Sequence, residues 1–430
     1  MTSLLLVGLV SLSAGTTDVD GGLPESPAAV EAPFSGDFTW MNGQSRQKSF
    51  PLDFSKAMTL SLYLDVFYAW SFNNPIDNTL TGTASTSRHN EFQINLGSIG
   101  FDWNYRNVVG RLSLQAGTVL NVVQDLDGTA RRGRGLSIED LRYIREATLG
   151  YHFDVLHGLN VEGGIFMSYI GLESYLLAEN WNYTRSVASD HTPFYFQGVR
   201  AQFFPTARIK IEPWLMNGWQ SYGKWNLAPS TGLAFRWSPT DSFTLAANVY
   251  VGTDTRGVPG RVRLHHDHSA LLKYLDRPGH ALNRLAVSIN NHAGLETGGA
   301  GLPGPDGAHV LSTSISHRAS FLDDLLHVAV RGEYFTNPGR YLAQFPPPDL
   351  ASQPGNDLAI WGFTGTLEVM PRDYFSVRAE VVWRQSSTPY FAGPGGTTSV
   401  DGFTDGSSSG FVSDSRRSQT VILAAANFRL

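Results

Sequence analysis

The chain has 430 residues, of which 42% are hydrophobic and 12% aromatic, and its formal net charge is -6. Its Lys and Arg residues are scattered and form no basic stripe, which excludes nucleic acid as a partner. Past the N-terminus no apolar run approaches the roughly 20 residues that a membrane-spanning helix requires, which excludes a helical membrane protein. The absence of cysteine is compatible with passage through an oxidising compartment.

The N-terminal region divides into two predicted parts. Residues 1–15 have the apolar core and the small residues of a signal peptide, although the usual basic start is missing. Residues 16–55 are predicted to be a periplasmic lead-in and pre-barrel segment, and they begin with a stretch rich in Pro, Ala, Gly and acidic residues. Their second half, 38–53, either enters a barrel as a partial plug or caps it from the periplasm.

From residue 56 to residue 430, apolar and polar side chains alternate in one stretch after another. Leu60, Leu62 and Leu64, for example, are separated by Ser61 and Tyr63. A period of two is typical of a β-strand with one apolar face. Sixteen strands are predicted, over residues 58–72, 90–105, 108–122, 143–155, 158–171, 194–204, 207–217, 228–238, 242–252, 262–275, 282–294, 308–320, 325–335, 357–370, 374–386 and 417–430.

The connections between these strands alternate in length. Each connection after an even-numbered strand has only a few residues, as at Arg106–Asn107, and each connection after an odd-numbered strand is longer. An even strand count with this alternation is typical of a barrel that has both termini in the periplasm. We therefore predict an all-β fold, a transmembrane antiparallel β-barrel of about 16 strands, with short periplasmic turns and long external loops. In the second strand the alternation changes phase near Gly97 and Ser98, which predicts a bulge there.

Six segments spread over most of the chain carry a family resemblance. They are FTWMNGQSRQKSFPLD (38–53), LYLDVFYAWSFNNP (62–75), GGIFMSYIGLESYLLAENWNYTRS (163–186), PWLMNGWQ (213–220), FTNPGRYLAQFPPPD (335–349) and VMPRDYFSVRAEVVWRQSSTPYFAGPGG (369–396). Together they resemble the OmpL-like family of outer-membrane β-barrel porins. The resemblance implies a pore in the outer membrane of a Gram-negative-type bacterium, and it implies no particular substrate. The chain departs from the family at its last residue, Leu430, where an aromatic residue is usual.

Eleven basic and ten acidic residues occupy the inward positions of the predicted strands, and the acidic ones include Asp65, Glu91 and Asp102. A barrel of this size is too wide for its wall side chains to fill, so inward residues meet water unless a loop or plug occupies the space. Mixed charges favour ion pairs between neighbouring strands, whereas rings of one sign would select ions. The predicted pore-lining residues are Arg111, Glu146, Glu162, Arg200, Arg208, Lys210, Glu212, Arg236, Arg263, Asp267, Lys273, Arg284, Arg331, Glu333, Glu368, Arg378, Glu380 and Arg384.

Two long loops are candidates to narrow the pore. The loop 124–142 carries three arginines, and the loop 171–193 carries charged and aromatic residues. Each loop either folds into the barrel or stays outside in solvent, and the sequence leaves both alternatives open. The candidate constriction residues are Arg131, Arg132, Arg134, Glu173 and Arg185.

Three short motifs suggest chemistry that their surroundings do not favour. The glycine pattern 299–304 resembles a dinucleotide-binding loop, but its prolines prevent the helix that such a loop must open. The pattern 406–410 resembles a hydrolase elbow, but it lies in a Ser/Gly-rich loop. In the run from His265 to His268, the alternation places His265 and Asp267 on one face of a strand, so any further metal ligand must come from a neighbouring strand. We interpret this run as polar residues near the external strand end, and we predict no catalytic residue, metal or cofactor.

The leading functional hypothesis is a porin: a passive diffusion channel for small hydrophilic solutes or ions, in contact with outer-membrane lipid and lipopolysaccharide. Such a channel is not an enzyme, and several copies can associate as a homo-oligomer. The alternative is a barrel that serves as the scaffold of a larger cell-envelope complex, with a partner chain in its lumen. Long loops and a pre-barrel segment suit both hypotheses.

Overall fold

The computed structural model describes residues 31–55, 57–124, 127–129, 138–224, 228–255, 258, 260–298, 307–342 and 358–430. In these residues sixteen antiparallel strands form one closed barrel, as the alternation predicts. The strands are β1 (Met58–Ser71), β2 (Phe92–Tyr105), β3 (Val108–Ala116), β4 (Ile144–Phe153), β5 (Leu159–Met167), β6 (Tyr195–Thr206), β7 (Ile209–Met216), β8 (Ser230–Thr240), β9 (Phe243–Gly252), β10 (Val262–Asp276), β11 (Leu282–Thr297), β12 (His309–Phe321), β13 (Leu326–Thr336), β14 (Ala359–Arg372), β15 (Phe375–Ser386) and β16 (Ser418–Arg429). The barrel closes between β16 and β1, where Asn427 pairs with Asp65.

The connection lengths follow the predicted alternation. The seven connections after even-numbered strands have two to five residues, and those after odd-numbered strands have at least nine. Arg106 and Asn107, which join β2 to β3, both have positive φ. Two such residues form a type I′ turn, whose twist matches that of the flanking strands. The short turns therefore lie at the periplasmic end of the barrel.

Short elements lie outside the barrel wall. Asp53–Ser55 pairs with the start of β1, and Phe391–Ala392 pairs with Ser415–Arg416. The helices are α1 (Val119–Val123), α2 (Ile138–Leu141) and α3 (Val187–His191), with 3₁₀ turns at Leu177–Glu179 and Pro338–Arg340. Among the described residues, no helix is long and apolar enough to cross a membrane.

The third strand is shorter than predicted. It ends at Ala116 instead of residue 122, and α1 follows. Val119, Leu120 and Val123 all pack into one interior cluster, at the spacing of a single helix face. The run of apolar residues was therefore part of a helix, which alternation alone cannot distinguish from the end of a strand.

The bulge in β2 lies at Asn95, slightly before the predicted position. Asp65 pairs with Leu96 and Val66 pairs with Ile94, so Asn95 has no direct partner on β1. Asn95 and Leu96 both face inward, because the Asn95 amide donates to Asp65 (2.8 Å) and Leu96 packs into the interior cluster that contains α1. The phase of the alternation changes at this point, as a bulge requires.

The outer face of the barrel is apolar and its inner face is polar. On β15, Val377, Val381 and Trp383 are exposed on the outside, whereas Arg378 and Glu380 between them are buried on the inside. An outward apolar band with an inward polar face is the arrangement of a transmembrane barrel.

Candidate pore and its internal loop

The connection between β5 and β6, residues 168–194, folds into the barrel; we call it the inner loop. Its residues from Asn180 to Thr192 are all buried. Trp181 and Tyr183 pack against apolar residues of the wall in two separate clusters. Of the two alternatives that the sequence left open for this loop, the structure has the inward one.

The backbone N–H and C=O groups of the inner loop need hydrogen-bond partners inside the barrel. Two inward wall residues provide them at the centre of the loop. Glu380 accepts from the backbone N–H groups of Tyr183 (2.6 Å) and Thr184 (2.9 Å). Arg331 donates to the carbonyl oxygens of Thr184 (2.6 Å) and Arg185 (3.1 Å). Wall charges thus replace the water that an external loop would have.

The same pattern extends to both sides of these contacts. Glu333 accepts from the N–H of Val187 (2.7 Å), and Arg378 donates to the carbonyl oxygens of Leu177 (2.8 Å) and Ala178 (3.0 Å). A third of the predicted pore-lining set therefore faces inward but is buried. Five of these six residues contact the inner loop, namely Arg331, Glu333, Arg378, Glu380 and Arg384, and the sixth, Glu368, forms an ion pair with Arg46 of the pre-barrel segment.

The inner loop also carries charges of its own. Glu173 forms an ion pair with Arg331 (2.9 Å) and accepts from the backbone N–H and the hydroxyl of Ser186 (both 2.7 Å). Burial by itself raises the pKa of Glu173, but Arg331, Ser186 and Arg185 outweigh it and hold the pKa below its usual value of 4.5. Arg185 lies 3.6 Å from Asp190 and stacks on Phe194. The other candidate constriction residues, Arg131, Arg132 and Arg134, lie outside the described residues.

The pre-barrel segment crosses the periplasmic mouth of the barrel. The backbone N–H of Phe34 donates to Ala207, and the Trp40 indole donates to the carbonyl oxygen of Asp241 (both 2.8 Å). Further along, the N–H of Lys48 donates to Asp373 (2.7 Å). Ala207, Asp241 and Asp373 belong to three different periplasmic turns. Because Trp40 is also buried, the segment is a partial plug and not an external cap.

Two adjoining cavities remain open inside the barrel, with volumes of about 530 and 660 Å³. They lie between the inner loop and the wall, mostly against β1 to β9. Asp102, Arg111, Glu146 and Lys210 line both. The other charged residues at their surfaces include Arg145, Glu162, Glu173, Glu179, Arg185, Arg200, Glu212, Arg236 and Arg429. Seven of the predicted pore-lining residues lie at these surfaces: Arg111, Glu146, Glu162, Arg200, Lys210, Glu212 and Arg236.

Most of these cavity charges are paired, but the cations extend further into the open space. Arg111 is 45% exposed, and its partners Asp102 and Glu146 are 37% and 11% exposed; Lys210 is 25% exposed and its partner Glu212 is 2% exposed. Arg236 has no carboxylate within 4.0 Å among the described residues, and instead its guanidinium stacks on Phe34. The surfaces of these two cavities therefore present more positive than negative charge.

The remaining predicted pore-lining residues line neither cavity. They pair locally: Arg208 with Asp241, Arg263 with Glu296, Asp267 with Asn248, Lys273 with Asp276, and Arg284 with Asp324.

The alternation missed Arg145, which lines a cavity beside Glu146. Ser113 pairs with Glu146 and Leu114 pairs with Ile144, so Arg145 is a bulge residue and two consecutive side chains face inward. Arg46, which forms an ion pair with Glu368 in the interior, was missed because it precedes the strands. Neither position carries a signal in the strand pattern.

Comparisons with known proteins agree with this architecture. No curated protein sequence matches the chain. Among solved structures, the anion-selective porin from Comamonas acidovorans is 9% identical, with a TM-score of 0.52 over 87% of this chain and 99% of that one. The outer-membrane channel DcaP of Acinetobacter baumannii is 12% identical, with a TM-score of 0.50 over 86% and 97%. These likenesses show the fold. The family model "Putative beta-barrel porin-2, OmpL-like" matches residues 57–430, so the chain belongs to that family and is a channel-type barrel of the Gram-negative outer membrane.

Proposed function

We propose that the protein is a narrow passive diffusion channel for small hydrophilic solutes, with a preference for anions. The observation that carries the proposal is the division of the barrel interior. The inner loop fills one side, and the two adjoining cavities on the other side are lined by charged residues. A polar lining of this kind keeps a permeating solute hydrated, so transport needs neither a cofactor nor a catalytic residue.

The size limit follows from the two segments inside the barrel. The inner loop and the pre-barrel segment both occupy space that a bare barrel of sixteen strands would leave to water. They are attached to the wall by buried ion pairs, such as Glu173 with Arg331 and Arg46 with Glu368. A solute must therefore pass between the inner loop and the opposite wall.

The proposed anion preference rests on the exposed cations of the passage. Arg111 and Lys210 extend beyond their acidic partners, and Arg236 has no acidic partner among the described residues. Low-dielectric walls strengthen the field of such charges within a narrow passage. The effect weakens as salt increases, because the Debye length shortens from about 30 Å at 0.01 M to about 3 Å at 1 M.

The surroundings of the barrel follow from its outer face. Its apolar band would contact lipid, and its long loops would meet lipopolysaccharide at the external surface. Association of several copies is compatible with this function but is not required, because each barrel encloses its own passage. The scaffold hypothesis receives less support, since the inner loop and the pre-barrel segment occupy much of the space that a partner chain would need.

The test is the reversal potential of the purified full-length chain in a planar bilayer under a KCl gradient. We expect the channels to conduct, and we expect the sign of the reversal potential to indicate a preference for anions. Arg236→Gln should move it toward cations, most strongly at low salt. Arg372→Gln, which removes a cation from an exposed periplasmic turn, is the matched control and should leave it unchanged. A barrel that does not conduct, or that prefers cations, would contradict the proposal.

A further inference from the structure

Two histidines and an aspartate meet on the inner face of neighbouring strands. His265 and Asp267 lie on β10, and His292 on β11 pairs directly with Asp267. One ligand atom from each of the three lies within 4.8 Å of the others, and all three side chains are buried. The strand pattern had placed His265 and Asp267 on one face, and the neighbouring strand adds the third group.

The Tyr341 hydroxyl sets the tautomer of the His265 ring. It lies 3.0 Å from the carbonyl oxygen of Leu264 and 3.1 Å from His265 Nδ1, and its single proton can go to either. When the hydroxyl donates to Leu264, His265 Nδ1 carries the ring proton and donates to the Tyr341 oxygen. The other ring nitrogen, Nε2, then has a free lone pair.

The Asn290 side chain fixes the proton on the His292 ring. The Asn290 amide nitrogen donates to the Ser269 hydroxyl (3.0 Å), which leaves the Asn290 Oδ1 as an acceptor. His292 Nε2 donates to this oxygen (2.8 Å), so its Nδ1 carries a lone pair. His265 Nε2 and His292 Nδ1 face each other at 3.2 Å. When the Tyr341 hydroxyl donates to Leu264, two lone pairs point toward each other with no proton between them. When it donates to His265, Nε2–H of His265 donates to His292 Nδ1 instead.

The carboxylate beside this pair has a poorly satisfied oxygen. Asp267 Oδ2 accepts from Asn248 (2.9 Å), whereas its buried Oδ1 makes no hydrogen bond of good geometry with the described residues, although the backbone N–H of Gly171 is directed at the carboxylate. A poorly satisfied buried acceptor next to two facing lone pairs is unfavourable unless a cation binds them together.

The distances fit a metal ion. Two nitrogens that each lie about 2.0–2.1 Å from a tetrahedral zinc ion are about 3.3 Å apart, close to the 3.2 Å between His265 Nε2 and His292 Nδ1. Metal-bound histidines usually donate their second ring N–H to an oxygen; His292 donates to Asn290, and His265 has the Tyr341 oxygen within reach. We propose that His265, His292 and Asp267 bind one divalent ion of the zinc type, with a fourth position for water. Magnesium and calcium fit less well because they prefer sites made of oxygen alone.

The ion would join three parts of the protein. The Tyr341 ring packs against Gly294, where a Cβ atom would come within 2.4 Å of it, so this position lets the loop after β13 reach His265. Gly171 of the inner loop lies against the His292 ring, where a Cβ would be 3.5 Å from Cε1. A metal ion bound here would stabilise β10 and β11 at the place where both loops contact them.

Calorimetric titration with zinc chloride tests the site in the full-length refolded barrel after chelator treatment. We expect about one zinc ion per chain, and at least a tenfold loss of affinity in His292→Gln and in Asp267→Asn. The control is His266→Gln with His268→Gln, because these rings form a second pair on the outward face (3.1 Å). This double variant should retain the affinity.

Two results would overturn the proposal. One is the absence of zinc uptake by the unaltered barrel, which would mean that the facing nitrogens share a proton instead. The other is equal loss of affinity in the outward double variant, which would place binding at the outer pair. If His292→Gln gives no heat-resistant folded band on gels, the zinc affinity of Asp267→Asn and the cobalt spectrum of the unaltered chain test the proposal instead. A tetrahedral cobalt spectrum supports the site, and an octahedral one contradicts it.

Discussion

Glu380→Gln should loosen the inner loop and leave the barrel closed. One carboxylate oxygen of Glu380 accepts from the Tyr183 N–H and from the Thr366 hydroxyl (both 2.6 Å), and the other accepts from the Thr184 N–H (2.9 Å). Glutamine has nearly the same shape but only one acceptor oxygen. At least one N–H of the inner loop therefore loses its acceptor, and the other loses the charge of its partner.

The expected size of the effect follows from these contacts. A hydrogen bond to a charged group contributes about 1.5–3 kcal/mol, and one between neutral groups about 0.5–1.5 kcal/mol. The loss of one charged bond and the weakening of another together come to about 3 kcal/mol. Since about 1.4 kcal/mol corresponds to a factor of ten, the population with a displaced inner loop should rise about 100-fold.

Single-channel recording measures this population directly. In Glu380→Gln we expect frequent upward steps in conductance, because the displaced loop opens the side of the barrel that it normally fills. Glu296→Gln is the matched control, since that inward carboxylate bonds to Arg263 on the neighbouring strand. Both variants must first show the heat-resistant folded band. The same step frequency in the two folded variants would refute the assigned role of Glu380.

Three further predictions concern the outer wall, the pre-barrel segment and acid. Val381→Arg should lower the free energy of unfolding by about 2–4 kcal/mol in urea titrations in vesicles, whereas Asn160→Lys, which faces the cavity, should change it little. Deletion of residues 31–50 should raise the conductance by opening the periplasmic mouth; unchanged conductance would contradict a plug. Because the pKa of Glu173 lies below 4.5, its contribution to loop attachment is complete above pH 4.5 and is lost as the pH falls through the lowered value. Conductance should accordingly rise only below about pH 4.5, and Glu173→Gln should show the raised conductance already at pH 7.

The strand count and the direction of most wall side chains could be predicted from local pattern. A strand exposes every second residue to the same face, so the alternation along β15 fixes Val381 outward and Glu380 inward without knowledge of any neighbour. The connection lengths then fix which end of each strand is periplasmic. Both signals are local in sequence, which is why the boundaries of most strands agree with the prediction to within two residues.

The exceptions depend on contacts between distant parts of the chain. Arg145 and Asn95 face inward because bulges shift the register between neighbouring strands, and a bulge is defined only by the pairing of two strands. The inner loop has the polar composition of an external loop. Its inward position depends on Arg331 and Glu380, which lie far away along the chain and satisfy its backbone.

The near balance of inward charges has a physical reason in this loop. A buried backbone contains donors and acceptors in equal number, and neither can be left without a partner. Carboxylates such as Glu380 and Glu333 accept from its N–H groups, and guanidinium groups such as Arg331 and Arg378 donate to its carbonyl oxygens. A wall that holds a loop by its backbone therefore needs charges of both signs. Ion preference depends instead on the smaller set of charges, such as Arg111, that remain exposed to the open passage.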